Sequence, residues 1–491
     1  MERVTDRRDL SRPTDDGLVL EPEPGLTADE LVAISGGTLV TRSDRPIRGG
    51  AVDSRVVEPG NVFVALPGER TDGHAFVGAA LAAGAAAALV ARVPVPADLS
   101  GRDATVVRVD DPLLALQAVA SAWRGRFDPL VVGVTGSIAK TSTKEAIAAV
   151  LGAAMPTLKN EGNLNNEIGL PLTVLRLRSV HRAAVLEMGM YVGGEIADLA
   201  RIGRPEIGVV TAVQAVHLSR IGTIEAVEQA KGELVEALPA DGVAILNADD
   251  ERVRRMAART RAEVSTYGFA ADADVRAEHV TSRGADGMTF DLVSPVGRRP
   301  VVIPALGRIA VHNALAGAAV GLAAGLPLDT VVGALAGGWS APHRGQLVRA
   351  GGVLIVDDSY NASPGSVLAA LELLGGIPGR RIAVLGEMLE LGDAHEAGHE
   401  RVGAAAAAIV DRLVIIGEGA AGIAAGARGS GLEATAVDVV ADRAAARDRL
   451  VAELRPGDVV LVKASRGIAL DLLVDELVAA LGGAGTPEPA A

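Results

Sequence analysis

Leu130-Val131-Val132-Gly133-Val134 runs straight into Thr135-Gly136-Ser137-Ile138-Ala139-Lys140-Thr141-Ser142 and then into Thr143-Lys144-Glu145-Ala146-Ile147. The first stretch is a short apolar run, as expected of a strand buried on both faces of a parallel sheet. The last has helical composition, and a loop of small residues closed by Lys-Thr lies between them. A strand, such a loop and a helix form a cradle in which backbone N–H groups and the helix N-terminus hold phosphate oxygens. In that cradle Lys140 reaches the β- and γ-phosphates, and the Thr141 hydroxyl ligates Mg2+. Gly136, Ser137, Ala139 and Ser142 line it. The strict pattern has Gly before the lysine, where Ala139 stands. A Cβ there crowds the phosphates, and a positive φ there would cost about 1 kcal/mol. An ordinary strand-to-helix turn is the alternative reading.

Outward from this loop, strand and helix alternate: strands at 183–186, 207–213 and 243–246, helices at 196–202 and 224–238. Such alternation means a mostly parallel sheet with covering helices. An antiparallel excursion is expected over 271–303, then a helix over 311–324. On the N-terminal side, Thr27 to Glu30 fits a capping box. Short strands at 51–53, 61–66 and 87–90 follow, with a helix over 76–83 stopped by Gly84. On the C-terminal side, strands at 353–357, 382–385, 413–416 and 459–462 alternate with helices, a second doubly wound pattern. The predicted fold class is α/β in three domains: a small α/β domain over 26–128, a central phosphate-loop ATPase-type domain over 129–341, and a Rossmann-like domain over 342–491. Residues 1–25, polar and Pro-containing, are expected to form a flexible tail.

The 491-residue length agrees with about three domains at roughly 100–200 residues each. Aromatics are 2% of the chain and the net charge is −14, which argues against a nucleic-acid partner. The absence of cysteine excludes disulfides and thiolate metal sites and is compatible with a cytoplasmic protein. The charged N-terminus lacks an apolar h-region, and the apolar stretches are too short or broken to span a bilayer. Of the 47 lysines and arginines only five are lysines: Lys140, Lys144, Lys159, Lys231 and Lys463. A chain that otherwise uses arginine marks these as positions where a compact amine that can lose its proton is needed. Four of the eight asparagines (Asn160, Asn163, Asn165, Asn166) fall within seven residues.

Several segments together resemble the Mur ligase family, over nearly the whole chain from about Thr27. Asp53-Ser54-Arg55, Pro59-Gly60-Asn61-Val62-Phe63-Val64-Ala65 and Asp72-Gly73-His74 are similar to its nucleotide-sugar-binding domain. Thr135–Thr143 resembles its ATP loop, and Asn163-Leu164-Asn165-Asn166-Glu167-Ile168-Gly169-Leu170-Pro171 its muramoyl-contacting segment. Glu187-Met188-Gly189 and the stretch from His217 to Gly222 resemble magnesium-ligand segments, and Ala230-Lys231-Gly232-Glu233 the segment whose lysine is carbamylated in related enzymes. Asp357-Asp358-Ser359-Tyr360-Asn361-Ala362-Ser363-Pro364 looks like the members that add D-alanyl-D-alanine. Third-residue-adding enzymes usually show an Asp-Tyr-Ala-His type there, and folylpolyglutamate synthases an Asp-Gly-Ala-His-Asn type. Leu385-Gly386-Glu387-Met388-Leu389-Glu390-Leu391-Gly392 and Val462-Lys463-Ala464-Ser465-Arg466-Gly467 point the same way.

The resemblance implies an ATP-dependent ligase that forms an amide by way of an acyl phosphate. Its substrates would be UDP-N-acetylmuramoyl-tripeptide and D-alanyl-D-alanine, and it would act as a monomer. Lys140, Lys231 and His217 would be catalytic. Gly136, Ser137, Ala139, Lys140, Thr141 and Ser142, with Asn313, Arg344 and Asp358, would hold the nucleotide. Ser54, Arg55, Asn165, Asn166, Tyr360, Asn361 and Lys463 would bind substrates. Thr141, Glu187 and His217 would hold Mg2+, with a carbamylated Lys231 beside them. Taken as residues alone, Glu187 at the end of a buried strand fits either a metal or a salt bridge. By the same measure His217 and Lys231 fit a surface position as well as a functional one, and Asn361 fits an ordinary turn. The chain departs from the family at Ala139, at Ile309 and Ala310, where a polar pair is usual near the ATP site, and at Ala464, where Gly is more usual. Two alternatives stay open: a family member adding another amino acid or peptide, and a nucleotide-binding homologue with weakened catalysis, which Ala139, Ile309 and Ala310 motivate.

Overall fold

The computed structural model describes residues 25–68, 71–214 and 221–482. Three sheets follow one another along the chain. The first has five strands, β1 (Thr38–Thr41), β2 (Gly50–Ala51), β3 (Val62–Val64), β4 (Ala87–Val90) and β5 (Thr105–Arg108), in the order β1-β5-β4-β3-β2. Only the β1–β5 pair is antiparallel. The helix Ala28–Ser35 leads in, and both hydrogen bonds of the Thr27/Glu30 capping box are formed. Residues 1–24 of the expected tail lie outside the described residues.

The second sheet has nine strands: β6 (Leu130–Thr135), β7 (Thr157–Lys159), β8 (Ala183–Glu187), β9 (Ile207–Val210), β10 (Val243–Asn247), β11 (Glu263–Gly268), β12 (Val275–Ser282), β13 (Met288–Ser294) and β14 (Gly297–Ile303). Their order is β14-β13-β12-β11-β10-β9-β6-β8-β7. Pairing is parallel from β7 through β12 and antiparallel across β12, β13 and β14. Every residue of β6 is buried, as a strand covered on both faces requires. The strands next in sequence diverge to its two sides, β8 on one and β9 on the other. This is the kind of switch point at which open α/β sheets bind ligands.

Behind β6 the helix Lys140–Gly152 packs along the helix Gly307–Ala323. Small residues make this approach possible: a Cβ on Gly321 would lie 2.6 Å from Val150 Cγ1. The Gly307–Ala323 helix starts four residues before the expected Val311. Strand β9 ends at Val210, short of the expected Val213, because Thr211 to Gln214 turn away to bond the phosphate loop.

The third sheet holds β15 (Gln346–Ala350), β16 (Val353–Asp357), β17 (Arg380–Gly386), β18 (Arg412–Ile416), β19 (Val437–Val440) and β20 (Asp458–Lys463), ordered β15-β16-β20-β17-β18-β19. All pairs but β15–β16 are parallel. Apolar cores cover both of its faces. One continuous core joins the helix Pro112–Arg124 of the first unit to Leu170, Val174, Leu186 and Leu199 of the second. Among the described residues no helix is long and apolar enough to cross a membrane.

Candidate active site

The phosphate loop leaves β6 at Gly136, whose φ is +148°. A Cβ there would fall 1.8 Å from Thr211 Oγ1, so the close approach of the two segments requires glycine. That approach ties the loop down. The Thr211 hydroxyl donates to Ile138 O at 2.6 Å, Ser137 N donates to Ala212 O at 2.8 Å, and Gln214 N donates to Ser137 Oγ at 2.8 Å. Ala139 caps the following helix at φ +62°, the left-handed conformation the sequence left as a condition. Lys140 Nζ donates to Gly136 O at 2.8 Å, folding its amine across the loop. Burial pushes the Lys140 amine below its ordinary value; Glu187 opposes this and Arg344 adds to it. One helical turn on, Thr143 Oγ1 donates to Asn313 Oδ1 at 2.9 Å.

A cleft of about 1000 Å³ opens between this loop and the third sheet. Ser137, Ala139, Lys140, Ser142, Asn313, Arg344, Asp358, Asn361 and Lys463 line it, so most of the expected nucleotide set and two expected substrate residues converge. Ile309 and Ala310 line it too and carry no polar atom into it. Lys463 is nearly buried, and its amine is committed: it donates to Asp358 Oδ2 at 2.5 Å and Asn361 O at 3.0 Å. Tyr360 sits under Arg344, 4.2 Å from guanidinium carbon to ring centre, with Arg466 at 5.4 Å. Asp357, beside Asp358, accepts from Ser359 Oγ at 2.5 Å and pairs with His343 Nδ1 at 2.7 Å; burial raises its carboxyl's pKa.

Gly136, Thr141, Glu187 and Lys231 do not line the cleft. Glu187 is 1% exposed. Its Oε1 accepts from Asn165 Nδ2 at 2.7 Å, and its Oε2 has no hydrogen-bond partner among the described residues. A buried carboxylate oxygen left open in this way fits a metal ligand. Asn166 instead turns inward and accepts from Gly169 N at 2.9 Å, ending the loop before the next helix. Lys231, on the helix Ile224–Glu236, is 2% exposed, which removes the surface reading. Burial pushes its amine well below the ordinary value, and Lys140 pushes it further. His217 lies outside the described residues. Ser54 and Arg55 sit apart on the first unit, where Arg55 pairs with Asp53 at 2.6 Å.

Two residues not assigned to the site stand next to it. Asn160 is fully buried and brackets Glu187: its Oδ1 accepts from Glu187 N at 2.7 Å, and its Nδ2 donates to Leu164 O at 2.6 Å. Lys144, fully buried on the phosphate-loop helix, donates to Asn160 O at 2.7 Å. The scarcity of lysine and the clustering of asparagine were the signals that pointed to both.

Fold and site define a three-unit α/β nucleotide-binding protein with its phosphate loop facing a second doubly wound unit. The Mur ligase middle domain pattern matches residues 134–321, the Mur ligase glutamate ligase domain 343–466, and the Mur ligase family catalytic domain 46–124. The UDP-N-acetylmuramoyl-tripeptide--D-alanyl-D-alanine ligase of Mycobacterium tuberculosis is 38% identical over 92% of this chain and 98% of its own length; that of Escherichia coli is equally similar. MurF from Acinetobacter baumannii superposes with a TM-score of 0.82 at 29% identity, covering 94% of this chain and 100% of that one. MurF ligase from Thermotoga maritima in complex with ADP gives 0.77 at 29% identity, covering 89% and 98%. This chain belongs to the Mur ligase family.

Proposed function

We propose that the protein is the ATP-dependent ligase that joins D-alanyl-D-alanine to UDP-N-acetylmuramoyl-tripeptide. The observation that carries this reading is full-length similarity, at 38% identity, to ligases named for that reaction. The cleft supports it by setting a phosphate loop opposite the Asp358–Asn361 turn that resembles the dipeptide-adding members.

In this reading the tripeptide's terminal carboxylate attacks the γ-phosphorus of ATP, and ADP leaves. The dipeptide amine then attacks the acyl carbon, loses a proton, and phosphate leaves. Two anions meet in the first step, so cations must offset their repulsion. Lys140 would supply one of them, from the first turn of the helix that follows the loop. Thr141 and Glu187 would hold Mg2+, which when bound supplies further positive charge at the phosphates. Among the described residues no three His, Asp or Glu side chains gather as a metal site, so these ligands would be completed by nucleotide oxygens, His217 or Lys231. Burial pushes the Lys231 amine toward the neutral form, the form that adds carbon dioxide. This supports carbamylation of Lys231, which would turn it into an anion beside Lys140.

Asn313, Arg344 and Asp358 would position the nucleotide, Tyr360, Asn361 and Lys463 the dipeptide, and Ser54, Arg55, Asn165 and Asn166 the nucleotide-linked substrate. The units over 26–128, 129–341 and 342–491 would bind one substrate each and exclude water on closing, protecting the acyl phosphate. The protein would act as a cytoplasmic monomer.

The test is phosphate release from ATP with UDP-N-acetylmuramoyl-tripeptide, with and without D-alanyl-D-alanine. Release that needs both, with a pentapeptide product by mass, is the expected result. Binding of ATP without turnover would favour the weakened homologue that Ala139 and Ile309 bring to mind.

A further inference from the structure

Two of the chain's five lysines stand in one line of alternating charge with Glu145 and Glu187. Lys159, half-exposed, pairs with Glu145; Glu145 Oε1 lies 3.2 Å from the Lys144 amine; that amine lies 3.9 Å from Glu187 Oε2. The Glu187 charge also opposes the lowering of the Lys140 amine's pKa by burial. Lys144 and Lys140 are one turn apart on the same helix, so both fall on the same face of it.

The distances separate two things a cation can give a carboxylate. At 3.9 Å Lys144 supplies charge to Glu187 but no hydrogen bond, because its amine is directed to Asn160 O at 2.7 Å and to Glu145. Glu187 Oε1 is held by Asn165, and its backbone N–H by Asn160. Oε2 therefore keeps its lone pairs open while the buried charge is balanced. A buried carboxylate without a counter-charge is strongly disfavoured, and one fully hydrogen-bonded has no oxygen left to offer. Arginine would not serve, because its fork of donors would take the free oxygen.

We infer that Lys144 is a positioning residue for metal binding: its positive charge, 3.9 Å from Glu187 Oε2, offsets the buried carboxylate while leaving that oxygen free to ligate a divalent cation. The inference rests on the reading of Glu187 as a magnesium ligand given above.

The probe is Mn2+, followed by electron paramagnetic resonance with a non-hydrolysable ATP analogue present. Lys144→Met is expected to weaken Mn2+ binding at least tenfold. Affinity for UDP-N-acetylmuramoyl-tripeptide, and for the nucleotide with metal chelated, should stay within twofold. A merely structural role would move those affinities together. Glu145→Gln, a charge removed from the same helix, is expected to retain Mn2+ binding. Should Lys144→Met fail to fold, the Lys144→Met/Glu145→Gln pair removes both charges and carries the same expectation. Unchanged or tighter Mn2+ binding in the lysine variants overturns the inference while leaving Glu187 as a ligand. If Glu187→Gln binds Mn2+ like the wild type, the metal reading falls and takes the inference with it.

Discussion

Gly136 and Thr211 are packed so closely that one added carbon at Gly136 would stand 1.8 Å from the threonine hydroxyl. The hydroxyl cannot retreat without giving up its bond to Ile138 O, which shapes the loop. Gly136→Ala therefore combines overpacking with a backbone angle, φ +148°, that L side chains rarely adopt. Overpacking alone costs about 1–3 kcal/mol. The variant is expected to melt earlier and to lose at least tenfold in ATP affinity, read by calorimetry and by titration with a labelled nucleotide.

Ala139 presents the opposite case, a side chain where the backbone asks for none. Its φ of +62° costs an L residue about 1 kcal/mol relative to glycine. Glycine's extra freedom in the unfolded chain takes back part of the gain. Ala139→Gly is expected to leave stability within about 1 kcal/mol of the wild type and to lower KM for ATP, because the loop then closes on phosphate without a Cβ in the way. Steady-state kinetics in ATP check it. A raised KM would mean that the alanine is an adaptation of this loop.

The segments legible in sequence were those whose signal is local. The apolar run of β6, the Thr27–Glu30 box and the strand Val353–Asp357 needed no tertiary information. Edge strands β7, β15 and β19 were not read, since short edge strands are held by their neighbours rather than by their own pattern. In the site, motif residues were legible by type but not by partner. Lys463 is expected to bind substrate, and its amine is bonded to Asp358 and Asn361. Asn165 and Asn166 are adjacent in sequence, yet one holds Glu187 and the other starts a helix.

That Lys463 pairing makes a prediction of its own. Removing one partner of a buried ion pair leaves the other uncompensated and costs about 3–5 kcal/mol. Asp358 is partly exposed, so water makes up some of the loss and the lower end applies. Lys463→Met should lower the melting temperature clearly, and Asp358→Asn added to it should restore part of the loss. A double-mutant cycle in thermal unfolding gives the coupling. If the two effects simply add, the pair does not hold the turn.

Lys231 is the group whose titration should be visible in stability. Its amine is pushed well below the ordinary lysine value of 10.5 by burial first and by Lys140 second. Between the lowered folded value and 10.5, the unfolded chain holds a proton on this lysine that the folded chain releases. Stability rises with pH wherever the unfolded state binds more protons. The favourable situation is complete above 10.5 and is lost as pH falls through the lowered folded value. Lys231→Met fills the same space with no charge to release. In buffer freed of carbon dioxide, where the amine stays unmodified, the variant should melt above the wild type at pH 7, and the gap should narrow as pH is raised toward 10. Bicarbonate should restore activity to the wild type alone. A gap that stays constant with pH would mean that the amine keeps its proton in the fold, and carbamylation would lose its physical basis.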